Sequence, residues 1–342
     1  MASDLPVIVS LEVHCSPEQQ EIMVEIIEKS WKGMLVPIPS EPCRSLPSPE
    51  ELRGKILVKV KYAKPEAAKK NALNSSTPGR QRERSTSSGS SDSENQNAVV
   101  GEEKKKKKTS IIESLSALGV YTHSYHFKSL ITPEALEPTH VFSLSEKKLM
   151  EVHESHGPTL FSHNRNFLMR AFPSGMRVSS SNLDPSVFWR KGVQMVALNW
   201  QKYDEGTMLN QGMFAGSGGW ILKPKGYRGT TASTKELSQE SQADAITHRT
   251  LSLTVDIIAG QDIPLPIGDK RPSGFHPYVK CELHVEKAEE RSGAPIEKGG
   301  KSKEGEHKRV TKTGKGVEPD FGGERMEFRQ IPGVVEELSF LR

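Results

Sequence analysis

The stretch that decides the fold occupies residues 5–15, "LPVIVSLEVHC", residues 16–35, "SPEQQEIMVEIIEKSWKGML", and residues 54–61, "GKILVKVK". The first and third segments are short runs rich in Val and Ile, and each predicts a buried strand. Between them, Ser16 is expected as a helix N-cap with Pro17 at the first helical position. The order strand, helix, strand is typical of parallel α/β folds.

The same alternation returns in the middle of the chain. "HVFSLS", the helical "SEKKLMEVHESHG", "NFLMRAFPS" and "GVQMVALNW" follow one another from residue 140 onward. Together with the two strands of the first stretch, they give about five buried strands. The two histidines of "HESHG", His153 and His156, lack the H-E-x-x-H spacing of a zinc site and are expected at the surface of the helix.

Composition divides the chain into ordered pieces and linkers. Residues 64–110 are almost devoid of large apolar side chains and contain the run "KKKKK", which predicts a disordered insert. A second polar stretch, residues 228–250, is short enough to link two folded units. The ordered pieces are therefore expected at residues 1–63, 111–227 and 251–342.

Charge, cysteine content and hydropathy exclude several classes of function. A net charge of +4 over 342 residues gives no general field for nucleic acid. The three cysteines are far apart and have no C-x-x-C spacing, so a reducing, intracellular setting is expected. The sequence contains no apolar run long enough for a membrane span and no signal-peptide pattern. A location in the cytoplasm, or at the periphery of a membrane, is expected.

Polar side chains recur where the predicted strands end: Glu12, Lys59, Lys61, Ser143 and Arg170. In a barrel of parallel strands the chemistry lies at the carboxyl ends of the strands. One acid, two lysines, a hydroxyl and an arginine suit a multiply phosphorylated ligand together with a cation. Each residue also has a simpler explanation, since strand-end glutamates are usually solvated, alternating lysines often form the wet face of an edge strand, and a single arginine is most often a structural ion pair.

Several motifs in a fixed order carry a specific resemblance. They are "PVIVSLEVHCSPEQQ", "PSPEELRGKILVKVK", "SLSE", "RAFPSGMRVSSSN", "FWRKGVQMVALNWQ" and "NQGMFAGSGGWILKP". In this combination the chain resembles eukaryotic phosphoinositide-specific phospholipase C. The resemblance covers the end of the family's X half in residues 1–63 and the Y half in residues 111–227, with the insert in the place of the X/Y linker.

The resemblance implies a fold, an activity and a set of roles. It implies a TIM-like barrel in a signalling enzyme of lipid degradation, which hydrolyses phosphatidylinositol 4,5-bisphosphate to diacylglycerol and inositol trisphosphate with Ca²⁺. By position, Glu12 matches a calcium ligand of that family, and Lys59, Lys61, Ser143 and Arg170 match ligands of the inositol headgroup. Phe172 stands where the family often has a tyrosine that stacks on the inositol ring, so the face contact is expected without the hydroxyl.

The last piece, residues 251–342, opens with the alternating segments "LSLTVDIIAGQDIP" and "GFHPYVKCELHV". These predict a β-sandwich and resemble the first strands of a C2 domain, which would be truncated here. His276 stands before "PYV" where calcium-binding members often carry an aspartate. A calcium site in this module is therefore not expected.

The family's two acid/base histidines are the larger departure, because they lie on barrel strands that would precede Met1. The expected fold is therefore an incomplete TIM-like barrel with about five of eight strands, followed by the C2-type piece. This chain alone is expected to be inactive, as a fragment of the enzyme. The alternative is a non-catalytic phosphoinositide-binding or scaffold protein whose partners are anionic membrane phosphoinositides.

Overall fold

The computed structural model describes residues 3–63, 110–229, 245–292, 294–296 and 307–342. The predicted insert at 64–110 lies outside the described residues except for Ser110, and most of the predicted linker at 228–250 lies outside them as well.

The first two thirds of the described chain form one parallel sheet, whose six strands are hydrogen-bonded in sequence order. The strands are β1 (Val7–Ser10), β2 (Ile56–Lys61), β3 (His123–Tyr125), β4 (His140–Ser145), β5 (Leu168–Phe172) and β6 (Met195–Val196). The helices are α1 (Pro17–Ser30), α2 (Glu113–Ala117), α3 (Glu146–Asn166), α4 (Pro185–Trp189) and α5 (Glu205–Phe214). The sheet is curled and corresponds to part of a TIM-like barrel.

Local signals in the sequence set the start of α1 as predicted. The Ser16 hydroxyl accepts a hydrogen bond from the Gln19 backbone, and the Gln19 side chain accepts one from the Ser16 backbone. This reciprocal arrangement is a capping box, which satisfies two backbone donors that a helix start otherwise leaves unpaired. Pro17 occupies the first helical position, where its missing N–H costs nothing.

The strand count differs from the prediction, because β3 is a sixth strand that the sequence did not reveal. It pairs with β2 through His123 opposite Val60, and with β4 through Tyr125 opposite Phe142. It has three residues, all of them polar or aromatic, so it shows neither an apolar run nor a readable alternation. Its pairing with two longer strands, and not its own sequence, makes it a strand.

Helix α3 also corrects the expectation for its histidines. It continues past "HESHG" to Asn166 and is kinked at His156, whose φ and ψ are −145° and 40°, two residues before Pro158. His156 is exposed as expected, but the expectation was wrong for His153, which is 3% exposed. Burial, together with a smaller effect of the charge of Lys191, lowers the pKa of His153 to about 4.

The helices cover one face of the sheet. On that face, Val58 and Val60 of β2 pack with Val24 of α1 and Leu115 of α2. A larger cluster joins β4 and β5 to α3 and α4; its members include Phe142, Leu144, Met169, Ala171, Leu149, Leu160 and Val187. Because side chains alternate along a strand, the residues between these apolar ones point to the opposite, helix-free face, called here the inner face.

The C-terminal part forms two small antiparallel sheets. Strand β7 (Arg249–Ala259) pairs with β10 (Asp320–Val334), and β8 (Lys280–His284) lies between β9 (Lys308–Val310) and β11 (Phe340–Leu341). A short helix, α6 (Ala288–Ser292), follows β8. The two sheets share a core that contains Cys281, Leu283, Val285, Met326, Phe328 and Ile331.

None of the helices in the described ranges has both the length and the apolar character that a membrane span requires.

Candidate functional site

Five of the predicted site residues share the inner face of the sheet. Lys59 and Lys61 alternate with Val58 and Val60, which pack against the helices. Ser143 and Arg170 are direct cross-strand partners in β4 and β5, and they alternate with apolar residues of the covered face. The register therefore places the Ser143 hydroxyl and the Arg170 guanidinium side by side on neighbouring strands.

Lys59 is a buried cation. Its side chain is held within the sheet, the residue is 5% exposed, and its Nζ donates to the Ser124 hydroxyl at 3.3 Å. Burial, together with a smaller effect of the positive charge of Arg170, lowers the pKa of Lys59 to about 8. An ammonium group whose charged form is disfavoured by burial and by a neighbouring guanidinium makes an environment that favours an anion.

Arg170 and Ser143 lie with Lys59 on the inner face and are half-buried. The Arg170 guanidinium carbon lies 5.3 Å from the centre of the Phe172 ring, within the range of a cation–π contact. Phe172 follows Arg170 by two positions and shares its face. The Ser143 Oγ is buried and has no hydrogen-bond partner among the described residues. A buried hydroxyl without a partner is uncommon in folded proteins and leaves room for a hydrogen bond to a water molecule or a ligand atom.

Lys61 and Glu12 lie further out. Lys61 is the last residue of β2 and is exposed. Glu12 follows β1, its side chain is 88% exposed, and its carboxylate contacts the ring Nε2 of His14 at 3.0 Å. The structure thus places Lys61 at the carboxyl end of β2 and Glu12 just after β1, both more exposed than Lys59 and Arg170.

A calcium ion fits these residues only in part. Calcium takes six to eight oxygen ligands, whereas Glu12 supplies one carboxylate in the part of the chain that is described. The described group of His, Cys, Asp and Glu side chains that are close enough to share a cation is Asp184, Glu205 and His284. That group does not include Glu12, so the described residues do not form a calcium cage at Glu12.

A cavity of about 1080 Å³ reaches the site from the amino-terminal side of the sheet. Lys59 and Arg170 line it together with apolar side chains that include Ile8, Leu168 and Trp220. The indole Nε1 of Trp220 donates to the Pro6 carbonyl at 2.8 Å. This bond holds the segment after α5 against the start of β1.

Sequence reasoning missed Ser124. It lies on β3 opposite Lys61, and it is the hydroxyl that Lys59 contacts. A serine in "THSYHF" gives no signal by itself, because the segment is too short to predict a strand. Its position follows only from the pairing of β3 between β2 and β4.

Comparison with known proteins gives two matches to the family. Residues 1–62 match "Phosphatidylinositol-specific phospholipase C, X domain" and residues 115–226 match "Phosphatidylinositol-specific phospholipase C, Y domain". The chain therefore belongs to the eukaryotic phosphoinositide-specific phospholipase C family.

Curated relatives extend beyond those two segments. One is "1-phosphatidylinositol 4,5-bisphosphate phosphodiesterase 1" of Candida albicans, 34% identical over 309 residues, which cover 83% of this chain and 28% of the relative. Another is "1-phosphatidylinositol 4,5-bisphosphate phosphodiesterase delta-3-A" of Danio rerio, 33% identical over 83% of this chain and 36% of the relative. The chain thus spans about a third of the length of these curated relatives.

Among solved structures, that of S. officinalis PLC21 aligns with a TM-score of 0.66 at 24% identity, over 99% of this chain and 39% of that one. The structure of L. pealei PLC21 aligns with the same values. At this level of identity the likeness supports the shared fold, a partial barrel of this kind.

Proposed function

We propose that this chain forms the headgroup-binding part of a phospholipase C that hydrolyses phosphatidylinositol 4,5-bisphosphate to diacylglycerol and inositol trisphosphate. The observation that carries the proposal is the pair of cations on the inner face. Lys59 is buried beside the charge of Arg170, and its protonated form is disfavoured there. A phosphate group between the two would remove that penalty, because it offers each cation a charged acceptor.

The other inner-face residues enlarge this phosphate-binding pair to a set of five, called here the headgroup clamp: Lys59, Lys61, Ser143, Arg170 and Phe172. The Ser143 hydroxyl, buried without a partner beside Arg170, donates to a phosphate oxygen. Lys61, two residues beyond Lys59 and exposed, reaches a second phosphate nearer the mouth of the barrel. Phe172 offers the face of its ring to the inositol ring, and the contact with Arg170 holds that ring in place.

Calcium is part of the proposal through Glu12. We propose that Glu12 is one ligand of a calcium ion whose other ligands come from water or from outside the described residues. When bound, such an ion supplies Lewis-acid stabilisation of developing negative charge. The support is the position of Glu12 after β1, where its carboxylate is accessible.

The domain division and the location follow from the same proposal. Residues 1–63 and 111–227 contribute the two halves of the barrel, and residues 251–342 are proposed as a C2-type module. The enzyme would act from the cytoplasm at the periphery of a membrane that contains anionic phosphoinositides. The two antiparallel sheets with a common core support the C2-type module.

The second candidate function is a non-catalytic phosphoinositide-binding or scaffold protein. Such a protein would have the same headgroup clamp but no general acid and base. Each of these groups, when positioned, contributes about 10²- to 10⁴-fold to the rate of hydrolysis. The sequence predicts that this chain lacks the family's two histidines. We therefore expect the 342-residue chain to bind the headgroup without hydrolysing it.

The experiment is a calorimetric titration of the 342-residue chain with inositol 1,4,5-trisphosphate, with unphosphorylated inositol as the reference ligand. Hydrogen bonds to charged groups contribute about 1.5–3 kcal/mol, so Lys59→Met and Arg170→Met should each weaken binding about 10- to 100-fold. Lys148→Met is the matched control, since Lys148 is an exposed lysine that pairs with Glu151 at 3.0 Å.

Two outcomes would contradict the proposal: equal binding of inositol and its trisphosphate, or an equal loss in the control variant. A parallel assay measures the release of labelled inositol trisphosphate from mixed micelles with calcium. Release by a protein of the relatives' full length, lost in Lys59→Met and Arg170→Met, supports the enzyme. Binding without release at that length supports the scaffold.

A further inference from the structure

The junction between the barrel and the C-terminal sheets contains a group of metal-ligating side chains, of which His284 is buried and Glu205 is 26% exposed. Asp184 is the N-cap of α4, Glu205 is the first residue of α5, and His284 is the last residue of β8. One oxygen from each carboxylate and one ring nitrogen of His284 lie within 4.8 Å of one another. The side chain of His284 is 2% exposed and that of Asp184 is 7% exposed.

The orientation of the imidazole is fixed from one side. The Asp184 Oδ1 accepts hydrogen bonds from both the backbone and the hydroxyl of Ser186. Its Oδ2 is then directed to the His284 Nδ1, at 3.0 Å. Histidines that bind metals usually donate their second ring N–H to a carboxylate in this way. The Nε2 of His284 is left to face Glu205.

The two atoms that face each other have no hydrogen-bond partner. The Nε2 of His284 and the Oε1 of Glu205 are both buried and unsatisfied among the described residues, and they lie 3.5 Å apart. An N–H···O bond usually measures about 2.7–3.2 Å. In a tetrahedral site with bonds of 2.0–2.1 Å, two ligand atoms are about 3.3 Å apart. The observed separation is closer to two ligands of one cation than to a direct hydrogen bond.

The charge around the group also favours a divalent cation. Glu282 lies two residues before His284 on β8 and adds a third carboxylate. The Arg342 guanidinium lies 2.8 Å from the Glu282 carboxylate and 3.5 Å from that of Glu205. Arg342 thus pairs with two of the three carboxylates, while Asp184 contacts His284. Three carboxylates and one guanidinium leave an excess of two negative charges, which a divalent cation would cancel.

A second guanidinium nearby does not change this balance. Arg190 is buried, and both oxygens of Glu290 accept its hydrogen bonds at 2.8 and 2.9 Å. This ion pair is neutral as a unit. The charge of Arg190 helps to keep Asp184 ionised, but together with Glu290 it adds no net charge to the group.

We propose that His284 and Glu205 bind a divalent transition cation, with zinc as the best-fitting class, between the barrel and the C-terminal sheets. The imidazole nitrogen excludes Ca²⁺ and Mg²⁺ as preferred occupants, because these ions select oxygen ligands. Asp184 holds the imidazole in position, and water completes the coordination. The cation fastens β8 to the starts of α4 and α5, so the site is structural and separate from the headgroup clamp.

The test is a titration of the chelator-treated 342-residue chain with Zn²⁺ alone, followed by calorimetry and by the melting temperature. We expect one equivalent to bind and to raise the melting temperature. Glu205→Gln and His284→Gln should each weaken Zn²⁺ binding by about 10-fold or more, since each removes a ligand. Asp184→Asn removes a supporting carboxylate and should cost about 10- to 100-fold. Glu151→Gln on the exposed face of α3 is the matched control and should change nothing.

The unmodified chain gives a readout that does not depend on the folding of a variant. Co²⁺ in the same site should show the intense visible absorption of a four-coordinate ion that has one imidazole nitrogen among its ligands. Binding of less than half an equivalent of Zn²⁺, or the weak spectrum of fully hydrated Co²⁺, overturns the proposal. So does a Glu205→Gln variant that folds and binds Zn²⁺ as tightly as the unmodified chain.

Discussion

Replacing Lys59 by methionine should stabilise the fold while it removes headgroup binding. Methionine keeps the length of the side chain and its apolar stem but carries no charge. In the unmodified protein the Lys59 ammonium is buried and contacts the Ser124 hydroxyl. Burial and the charge of Arg170 both disfavour its protonated form. A charged group that binds an anionic ligand often lowers the stability of the fold when the ligand is absent.

The size of the effect follows from the pKa of Lys59. A fall from the ordinary value of 10.5 to about 8 corresponds to about 3 kcal/mol. The lost hydrogen bond to Ser124 offsets about 1 kcal/mol of this. At pH 7 we therefore expect Lys59→Met to raise the free energy of unfolding by about 1–3 kcal/mol.

The direction of the Lys59 pKa shift also determines how the stability of the fold depends on pH. Because the pKa of Lys59 is lower in the folded than in the unfolded state, the cost of the charge is fully present below pH 8. The folded protein releases this proton first as the pH rises from about 8 to 10.5, and its stability gains in that window. Above the window Lys59 is neutral in both states, so the difference between the variant and the unmodified protein should disappear.

Urea unfolding at pH 7, 9 and 10.5 measures this difference, with Lys148→Met as the control. Surface substitutions usually change stability by less than about 0.5 kcal/mol, and the control should stay in that range at every pH. A Lys59→Met variant that is less stable by more than about 1 kcal/mol at pH 7 would refute the reasoning. It would show that the ammonium has partners that outweigh its burial.

The remaining predictions concern single contacts. Ser143→Ala should leave the free energy of unfolding within about 0.5 kcal/mol, since its hydroxyl has no partner, yet weaken trisphosphate binding in calorimetry; a stability loss above 1 kcal/mol would mean that the hydroxyl is satisfied within the fold. Phe172→Leu should weaken the same binding by about 0.5–1 kcal/mol, because the contact with Arg170 at 5.3 Å is lost; unchanged affinity contradicts this role. Glu290→Gln removes the carboxylate that pairs with the buried Arg190 and should lower the free energy of unfolding in urea by about 3–5 kcal/mol. A decrease below about 1 kcal/mol would show that water reaches the guanidinium.

Local patterns determined much of the fold. The alternation of "ILVKVK" was enough to put Lys59 and Lys61 on one face, because side chains in a strand change sides at every residue. Ser16 and Pro17 were enough to start α1, because capping depends on neighbours within one turn. The ordered motifs were also enough to indicate the family, since each motif is contiguous.

Other features were decided only when distant segments met. Strand β3 has three residues without an apolar run and exists because β2 and β4 flank it. His153 was expected at the surface of its helix, yet it is buried with Lys191 nearby. The helix pattern shows which side a residue faces, but not which other element covers that side.

The same limit explains the buried ionic groups. The sequence placed Lys59 on a face, but its low pKa depends on how deeply the curled sheet encloses it and how near Arg170 lies. His284 and Asp184 are 100 positions apart, and neither segment carries a signal for the other. Periodicity and capping are properties of a few consecutive residues and so are written in the sequence. Burial, charge coupling and the shared coordination of a cation depend on distances between elements, which only the packed tertiary structure sets.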